Sequence, residues 1–237
     1  MATPYAIVEL DSAESTQDEA RVRAHSTRPI LVVARHQPAG RGRLGREWIE
    51  PDLALFSSLA FEPAWPARDW SRITLVAGLA VRAAITELCG VTPGLRWPND
   101  LVVESGKIGG LLVEASEGRV VVGCGINLFW RNPIPGAASL YAEGSAVGPP
   151  IELARAWADR FLDRMTASPG EWGADEYRGA CVTIGQSVSY ASGSGIAVSV
   201  SDDGGLVIET PSGRVTVTSG EVRMHDAATL PVDRGGI

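Results

Sequence analysis

Apolar positions along the chain follow two periods, and the switches between them mark out the elements. Tyr5 to Leu10 alternates as a short strand, and Ile30-Leu31-Val32-Val33-Ala34 is an unbroken apolar run of the kind that forms a buried strand. Between them, Thr16 and Glu19 have the spacing of a capping box, which predicts a helix running to about Ser26. Leu53 to Phe61 reads as another strand. The strongest helix is predicted over Asp69 to Leu88, where Ile73, Val76, Leu79, Ala80 and Ala83 form one stripe and Gly90 supplies a stop.

Four short strands follow, at Leu95 to Trp97, Leu101 to Val103, Lys107 to Glu114 and Arg119 to Leu128. A Pro/Gly/Ser-rich loop leads from Asn132 to Pro150 into an amphipathic helix over Ile151 to Met165, with Leu153, Trp157, Phe161 and Leu162 inward. A shorter helix follows Pro169 and ends near Arg178. Beyond Cys181 the texture changes to short β segments at Val188, 196–200, 206–208 and 215–217. They are joined by Ser-Gly-Ser-Gly and Asp-Asp-Gly-Gly turns, which predicts a small barrel. The expected organisation is a main domain over 1–180 and a small β domain over 181–237. In the main domain strands run consecutively rather than alternating with helices, which reads as α/β with mixed or antiparallel strands.

Composition narrows the function. The chain has 237 residues, 45% hydrophobic and 21% charged, with a formal charge of −7 that disfavours a broadly cationic nucleic-acid binder. No secretory pattern opens it, and its longest apolar runs fall far short of the roughly 18 residues a membrane helix needs. The expected location is the cytoplasm. Cys89, Cys124 and Cys181 form no CxxC pair and His25, His36 and His225 show no ligand spacing, so neither a disulfide framework nor a zinc site is expected. All basic residues but one are Arg; the exception is Lys107. A lysine retained in such a chain points to a need for a compact ammonium on a flexible stem.

Three clusters carry candidate chemistry. Gly40-Arg41-Gly42-Arg43-Leu44-Gly45 formally satisfies GxGxxG, but Trp48, Pro51 and a strand follow where a dinucleotide fold needs a helix. Residues 35–46 instead hold Arg35, Arg41, Arg43 and Arg46 without one acidic residue, a local reversal of sign suited to an anion. Arg96-Trp97-Pro98-Asn99-Asp100, followed by Lys107-Ile108-Gly109-Gly110, places a carboxylate where a phosphate-bound Mg²⁺ could use it. Gly123-Cys124-Gly125-Ile126-Asn127 repeats a strand with missing side chains. Together the two glycine strands predict a slot for a flat ligand with Asn127 as polar anchor.

In this order, with Ser15-Thr16-Gln17 ahead of Gln37-Pro38-Ala39-Gly40 and with Trp48, these motifs closely resemble the biotin protein ligase family. The resemblance spans about residues 5–140. It implies an α+β catalytic domain like those of class II aminoacyl-tRNA synthetases, with a mixed or antiparallel sheet, packed helices and a small C-terminal SH3-like barrel. It also implies a two-step reaction: biotin and ATP, with Mg²⁺, give biotinyl-AMP and pyrophosphate, and biotin then passes to a lysine of a biotin carboxyl carrier protein.

Carried over by position, Ser15, Thr16, Gln17, Gln37, Gly40, Arg41, Lys107, Gly110, Gly123 and Gly125 would meet biotin. Arg43, Arg46, Trp48, Asn99 and Asn127 would meet the nucleotide. Lys107, Arg41 and Asp100 would be catalytic, Asp100 also holding Mg²⁺. Gln17 stands where Asn is frequent in the family, and Arg96 where Lys is usual. Too few residues precede Ser15 for the DNA-binding domain of bifunctional members, so no DNA partner is expected; the short apolar runs give no reason to expect a membrane partner, and a monomer or weak homodimer is expected. A lipoate ligase and a non-catalytic vitamin sensor are the competing readings.

Overall fold

A computed structural model describes residues 3–25, 28–145 and 147–225. Seven strands form one mixed sheet: β1 (Ala6–Ser12), β2 (Ile30–His36), β3 (Leu53–Phe61), β4 (Gly94–Arg96), β5 (Asp100–Val103), β6 (Gly106–Ser116) and β7 (Arg119–Phe129). Their spatial order is β1-β2-β3-β7-β6-β5-β4. Only β1 and β2 run parallel, because α1 (Thr16–Arg23) crosses between them; the other neighbours are antiparallel.

Alternation along the strands sorts side chains onto two faces. Leu31 and Val33 of β2, Leu55 and Leu59 of β3, and Val122, Cys124 and Ile126 of β7 enter the main core, beneath α2 (Ile73–Cys89) and α3 (Pro150–Arg164). Trp157 and Phe161 of α3 are fully buried there, and Phe161 meets Phe61 edge-on at 5.2 Å. Each such side chain contributes about 1.5–3 kcal/mol by burial. The opposite face carries Ile30, Val32, Ala60 and Val121 against Ala20 of α1, and there the covering is partial. The uncovered remainder of that face is the floor of the candidate site.

The strongest predicted helix divides in two. Residues Ala67–Arg72 form a 3₁₀ turn and the α-helix starts at Ile73, ending at Gly90 in the left-handed conformation (φ 68°). The helix predicted from the Thr16/Glu19 pair ends at Arg23, with Ser15 as its N-cap; Ser26, its expected end, lies outside the described residues. A short α4 (Ala174–Ala180) leads to the C-terminal unit. That unit is an antiparallel sheet of β8 (Ser187–Tyr190), β9 (Gly193–Val200), β10 (Leu206–Thr210), β11 (Gly213–Val217) and β12 (Arg223–His225), in the order β11-β10-β9-β8-β12. The chain reaches it along the free edge of β4, where Val182 N–H donates to the Leu95 carbonyl at 2.9 Å.

Candidate active site

A cleft of about 200 Å³ opens on the face of the large sheet that α1 only partly covers. Its closed end forms where α1 meets β2 and β3. Thr16 does not cap the helix. Its hydroxyl lies 3.0 Å from Gln37 Oε1 and 2.9 Å from the Ser58 hydroxyl, and its N–H donates to the same Gln37 oxygen at 2.9 Å. Glu19, the other half of the expected capping box, pairs with Arg23. The Ser58 hydroxyl donates to Gln17 Oε1 at 3.0 Å, and Gln17 Nε2 donates to the carbonyls of Leu112 and Val121 at 3.0 and 3.2 Å. All four residues are buried. Three hydroxyl contacts here share two hydroxyl protons, which leaves a hydroxyl oxygen able to accept, and Gln37 Nε2 bonds to none of the other three, so the cluster suits a ligand that brings both N–H and C=O groups.

The open end is charged. Ile108 and Leu111 both face the core, whereas Lys107 and Gly110 both face the cleft. A spacing of three between residues on one face breaks strand alternation, and the pairing of β5 with β6 shows why. Leu101 opposes Gly109 but Val102 opposes Lys107, so Ile108 is an extra residue, a bulge that turns Lys107 onto the cleft face. There its Nζ lies 2.6 Å from Asp100 Oδ1 and 5.6 Å from the centre of the Trp48 ring. Gly106 lets the lysine strand approach the 132–150 loop: at φ 143°, any Cβ there would stand 2.7 Å from the Gly136 carbonyl.

The Gly-Arg loop is folded, not extended. Gly42 N–H donates to the Arg46 carbonyl and Trp48 N–H to the Gly40 carbonyl, at 2.7 and 2.9 Å. A 3₁₀ turn over Arg43–Gly45 holds Leu44 at φ 59°. Its three arginines have different partners. Arg41 pairs with Asp18 of α1 at 2.7 Å, which holds the Asp18 carboxyl below its ordinary range. Arg46 pairs with Glu221 of the C-terminal unit. Arg43 meets only neutral acceptors, Asn99 Oδ1 and the Gly220 carbonyl, both at 3.0 Å; burial pushes its pKa down. Arg43 is thus a half-desolvated cation without a carboxylate contact among the described residues.

The structure brings most of the predicted residues together and relocates others. Ser15, Thr16, Gln17 and Gln37 line the closed end; Arg41, Arg43, Arg46, Trp48, Asn99, Asp100 and Lys107 line the rest, over Gly110, Gly123 and Gly125. The predicted flat slot is already filled. A methyl group at Gly125 would stand 3.0 Å from the Trp48 ring, one at Gly110 would stand 3.3 Å from it, and one at Gly123 would stand 2.7 Å from Gln17 Oε1. Gly40 lies beneath the loop, where a Cβ would meet Gln37 Nε2 and Trp48, and does not line the cleft. Asn127 also lies off the cleft: its Nδ2 donates to the Ala138 carbonyl at 2.8 Å and clasps the 132–150 loop against β7.

The family models now have a geometry to be set against. That of the biotin/lipoate A/B protein ligase family matches residues 10–128, which hold α1, the Gly-Arg loop and the lysine strand, and a biotin protein ligase C-terminal domain matches 183–224. The chain belongs to the biotin/lipoate A/B protein ligase family. Among relatives, the biotin–acetyl-CoA-carboxylase ligase of Mycobacterium tuberculosis is 32% identical over 211 residues, covering 81% of this chain and 78% of that one. The ligase of the same description from Paracoccus denitrificans is 30% identical over 218 residues, covering 81% and 88%. Among solved structures, the biotin protein ligase of Aquifex aeolicus in complex with biotin and ATP superposes with a TM-score of 0.80 at 26% identity, covering 93% of this chain and 98% of that one.

Within this family member, sequence reasoning passed over two groups of cleft residues. Ser58 sits in a strand read only as apolar; its neighbour Ser57 points to the opposite face, where it accepts from Trp157, so the adjacent pair gave no sign of which face works on a ligand. Gly220 and Glu221 reach the loop from nearly the far end of the chain, and nothing local announces that contact.

Proposed function

We propose that the chain is an ATP-dependent biotin protein ligase, and that the cleft described above is its active site. The carrying observation is the polarity of that cleft. One end is a buried, uncharged cluster of the hydroxyls and amides of Thr16, Gln17, Gln37 and Ser58; the other is a cluster of cations around Lys107. A molecule with a ureido ring at one end and a carboxylate at the other matches both. A dithiolane ring brings no N–H and would leave the cluster's acceptors facing an apolar group, at about 1–3 kcal/mol each. A vitamin sensor needs no phosphate clamp, which argues for catalysis over mere binding.

In the first step a biotin carboxylate oxygen attacks the α-phosphorus of ATP. The new P–O bond gives biotinyl-AMP, and the bond from that phosphorus to the β-phosphate oxygen breaks to release pyrophosphate. Approach of carboxylate to triphosphate costs roughly 4 kcal/mol per close like-charge pair at an effective dielectric near 20. Lys107 and Arg43 offset that repulsion, and Lys107 can exchange Asp100 for the reacting oxygens. In the second step a neutral acceptor lysine amine attacks the acyl carbon, the bond from that carbon to the AMP oxygen breaks with its electrons on AMP, and the nitrogen gives up one proton to solvent as the amide forms.

Among the described residues no three His, Cys, Asp or Glu side chains form a metal cluster, and the carboxylates on the cleft are Glu47, Asp100 and Glu221. Such a set suits a Mg²⁺ that arrives on the ATP phosphates, with Asp100 as its protein ligand. Bound there, Mg²⁺ would neutralise phosphate charge. We assign the acceptor as a biotin carboxyl carrier protein, the cytoplasm as the location and residue 180 as the end of the catalytic unit. Among the described residues no helix is long and apolar enough to cross a membrane.

The test uses purified protein, Mg-ATP and labelled biotin without acceptor. Biotinyl-AMP is expected, and none of the corresponding product when lipoate replaces biotin. Biotin binding without adenylate would favour the sensor, and binding of neither vitamin would remove the assignment.

A further inference from the structure

Trp97 ties Asn99 and Asp100 to the C-terminal unit at two points. Its backbone N–H donates to Thr183 Oγ1 at 2.9 Å, and its indole Nε1 donates to the Gly204 carbonyl, also at 2.9 Å. Both Trp97 and Thr183 are buried. Gly204 belongs to the β9–β10 turn, which is wedged against the catalytic sheet's helices. Trp172 Nε1 donates to the Asp202 carbonyl at 2.7 Å, Arg178 Nε to the Val200 carbonyl at 2.6 Å, and Arg72 approaches Asp203 at 3.5 Å. Gly204 itself, at φ 84°, has no room for a side chain, since a Cβ would stand 2.8 Å from Leu75.

Two residues beyond Trp97, Asn99 Oδ1 accepts from Arg43, and the next residue, Asp100, holds Lys107. We infer that Thr183 and the Gly204 carbonyl are positioning groups for adenylation, fixing Trp97 so that Asn99 and Asp100 present Arg43 and Lys107 to the phosphates. Rotation about the Trp97 backbone would move both pairs at once, because Asn99 and Asp100 lie two and three residues beyond it, at the entry to β5. At the closed end Thr16, Gln37 and Ser58 bond only to one another and to Gln17, and Gln17 alone reaches the lysine strand, at the Leu112 carbonyl next to the Leu111 that Asn99 bonds, so most of that end is decoupled from the motion. The inference rests on the ligase reading and assigns a division of labour within it.

Thr183→Val removes the acceptor at nearly constant volume, and Thr183→Ser restores it. Three quantities are measured on the full chain: the KM for ATP and kcat for biotinyl-AMP formation, and the Kd for biotin alone. Thr183→Val is expected to lower kcat/KM for ATP about tenfold, with biotin affinity within twofold and Thr183→Ser close to the parent. Trp97→Phe, which removes the indole donor together with part of the buried ring, is expected to shift the same ATP parameters in the same direction, and serves where Thr183→Val does not fold. Unchanged ATP kinetics in these variants, an equal loss of biotin affinity, or a Thr183→Ser variant as impaired as Thr183→Val would each overturn the inference. A parent protein that makes no biotinyl-AMP overturns the ligase reading before any variant is compared.

Discussion

The two ends of the cleft are built on opposite principles. At the closed end, Thr16, Gln17, Gln37 and Ser58 are buried, uncharged and bonded to one another, on a helix and strands that packing already fixes. At the open end the groups are charged and partly exposed, and most are held by counter-ions that a substrate must replace: Lys107 by Asp100, Arg41 by Asp18, Arg46 by Glu221. Buried neutral hydrogen bonds give discrimination because a mismatch leaves groups unpaired. Exposed ion pairs cost little to exchange. The first end is therefore suited to choosing a ligand and the second to reacting it.

The sharpest challenge to that division is Lys107→Ala. Adenylation is expected to fall by roughly 10²–10³-fold, as on losing one oriented donor to a developing charge, while thermal unfolding stays near the parent value. Near-normal turnover would remove Lys107 from the chemistry. Next in size, Ser58→Ala is expected to weaken biotin binding by roughly tenfold, the effect of one buried hydrogen bond, with the KM for ATP unmoved. If both constants rise together, the ends are not independent.

A smaller effect is expected for Arg41→Ala, about two- to fivefold on adenylation, because an exposed pair such as Arg41–Asp18 is worth little. Arg43→Ala, which leaves no carboxylate partner behind, should exceed it when the two are assayed side by side. The smallest effect is one of pH. The folded Asp18 carboxyl lies below its ordinary value because Arg41 and Arg21 donate to its charged form. Its contribution to loop order is thus fully present above about pH 4 and is lost as pH falls through the lowered folded value. Limited proteolysis at residues 40–48 should show constant protection from pH 5 to 8, further protection by biotin with ATP, and increased cleavage on acidification. A change centred near neutrality would show that another group latches the loop.

Sequence patterns exposed what periodicity and composition encode. The Leu53–Phe61 strand matches its expected bounds because its apolar run is flanked by breakers, and the lone lysine, singled out by composition, lies on the cleft. Other features lay beyond those signals. Thr16 and Glu19 carry a local capping signature, but a long-range partner, Gln37, captures the hydroxyl. The bulge at Ile108 leaves no trace in composition, though it alone puts Lys107 on the cleft. Gly110 and Gly125 were read as an open slot; that Trp48 covers them depends on a loop fold no window reveals. Asn127 faces the right side of β7, yet the 132–150 loop claims its amide.

Arg43 and Arg46 are met by Gly220 and Glu221, more than 170 residues later in the chain. On a ribosome adding about 5–20 residues per second, the large sheet, the closed end of the cleft and Lys107 emerge on the order of ten seconds before the residues that complete the loop's restraint. The contacts that restrain the loop are therefore unavailable when its arginines first leave the ribosome.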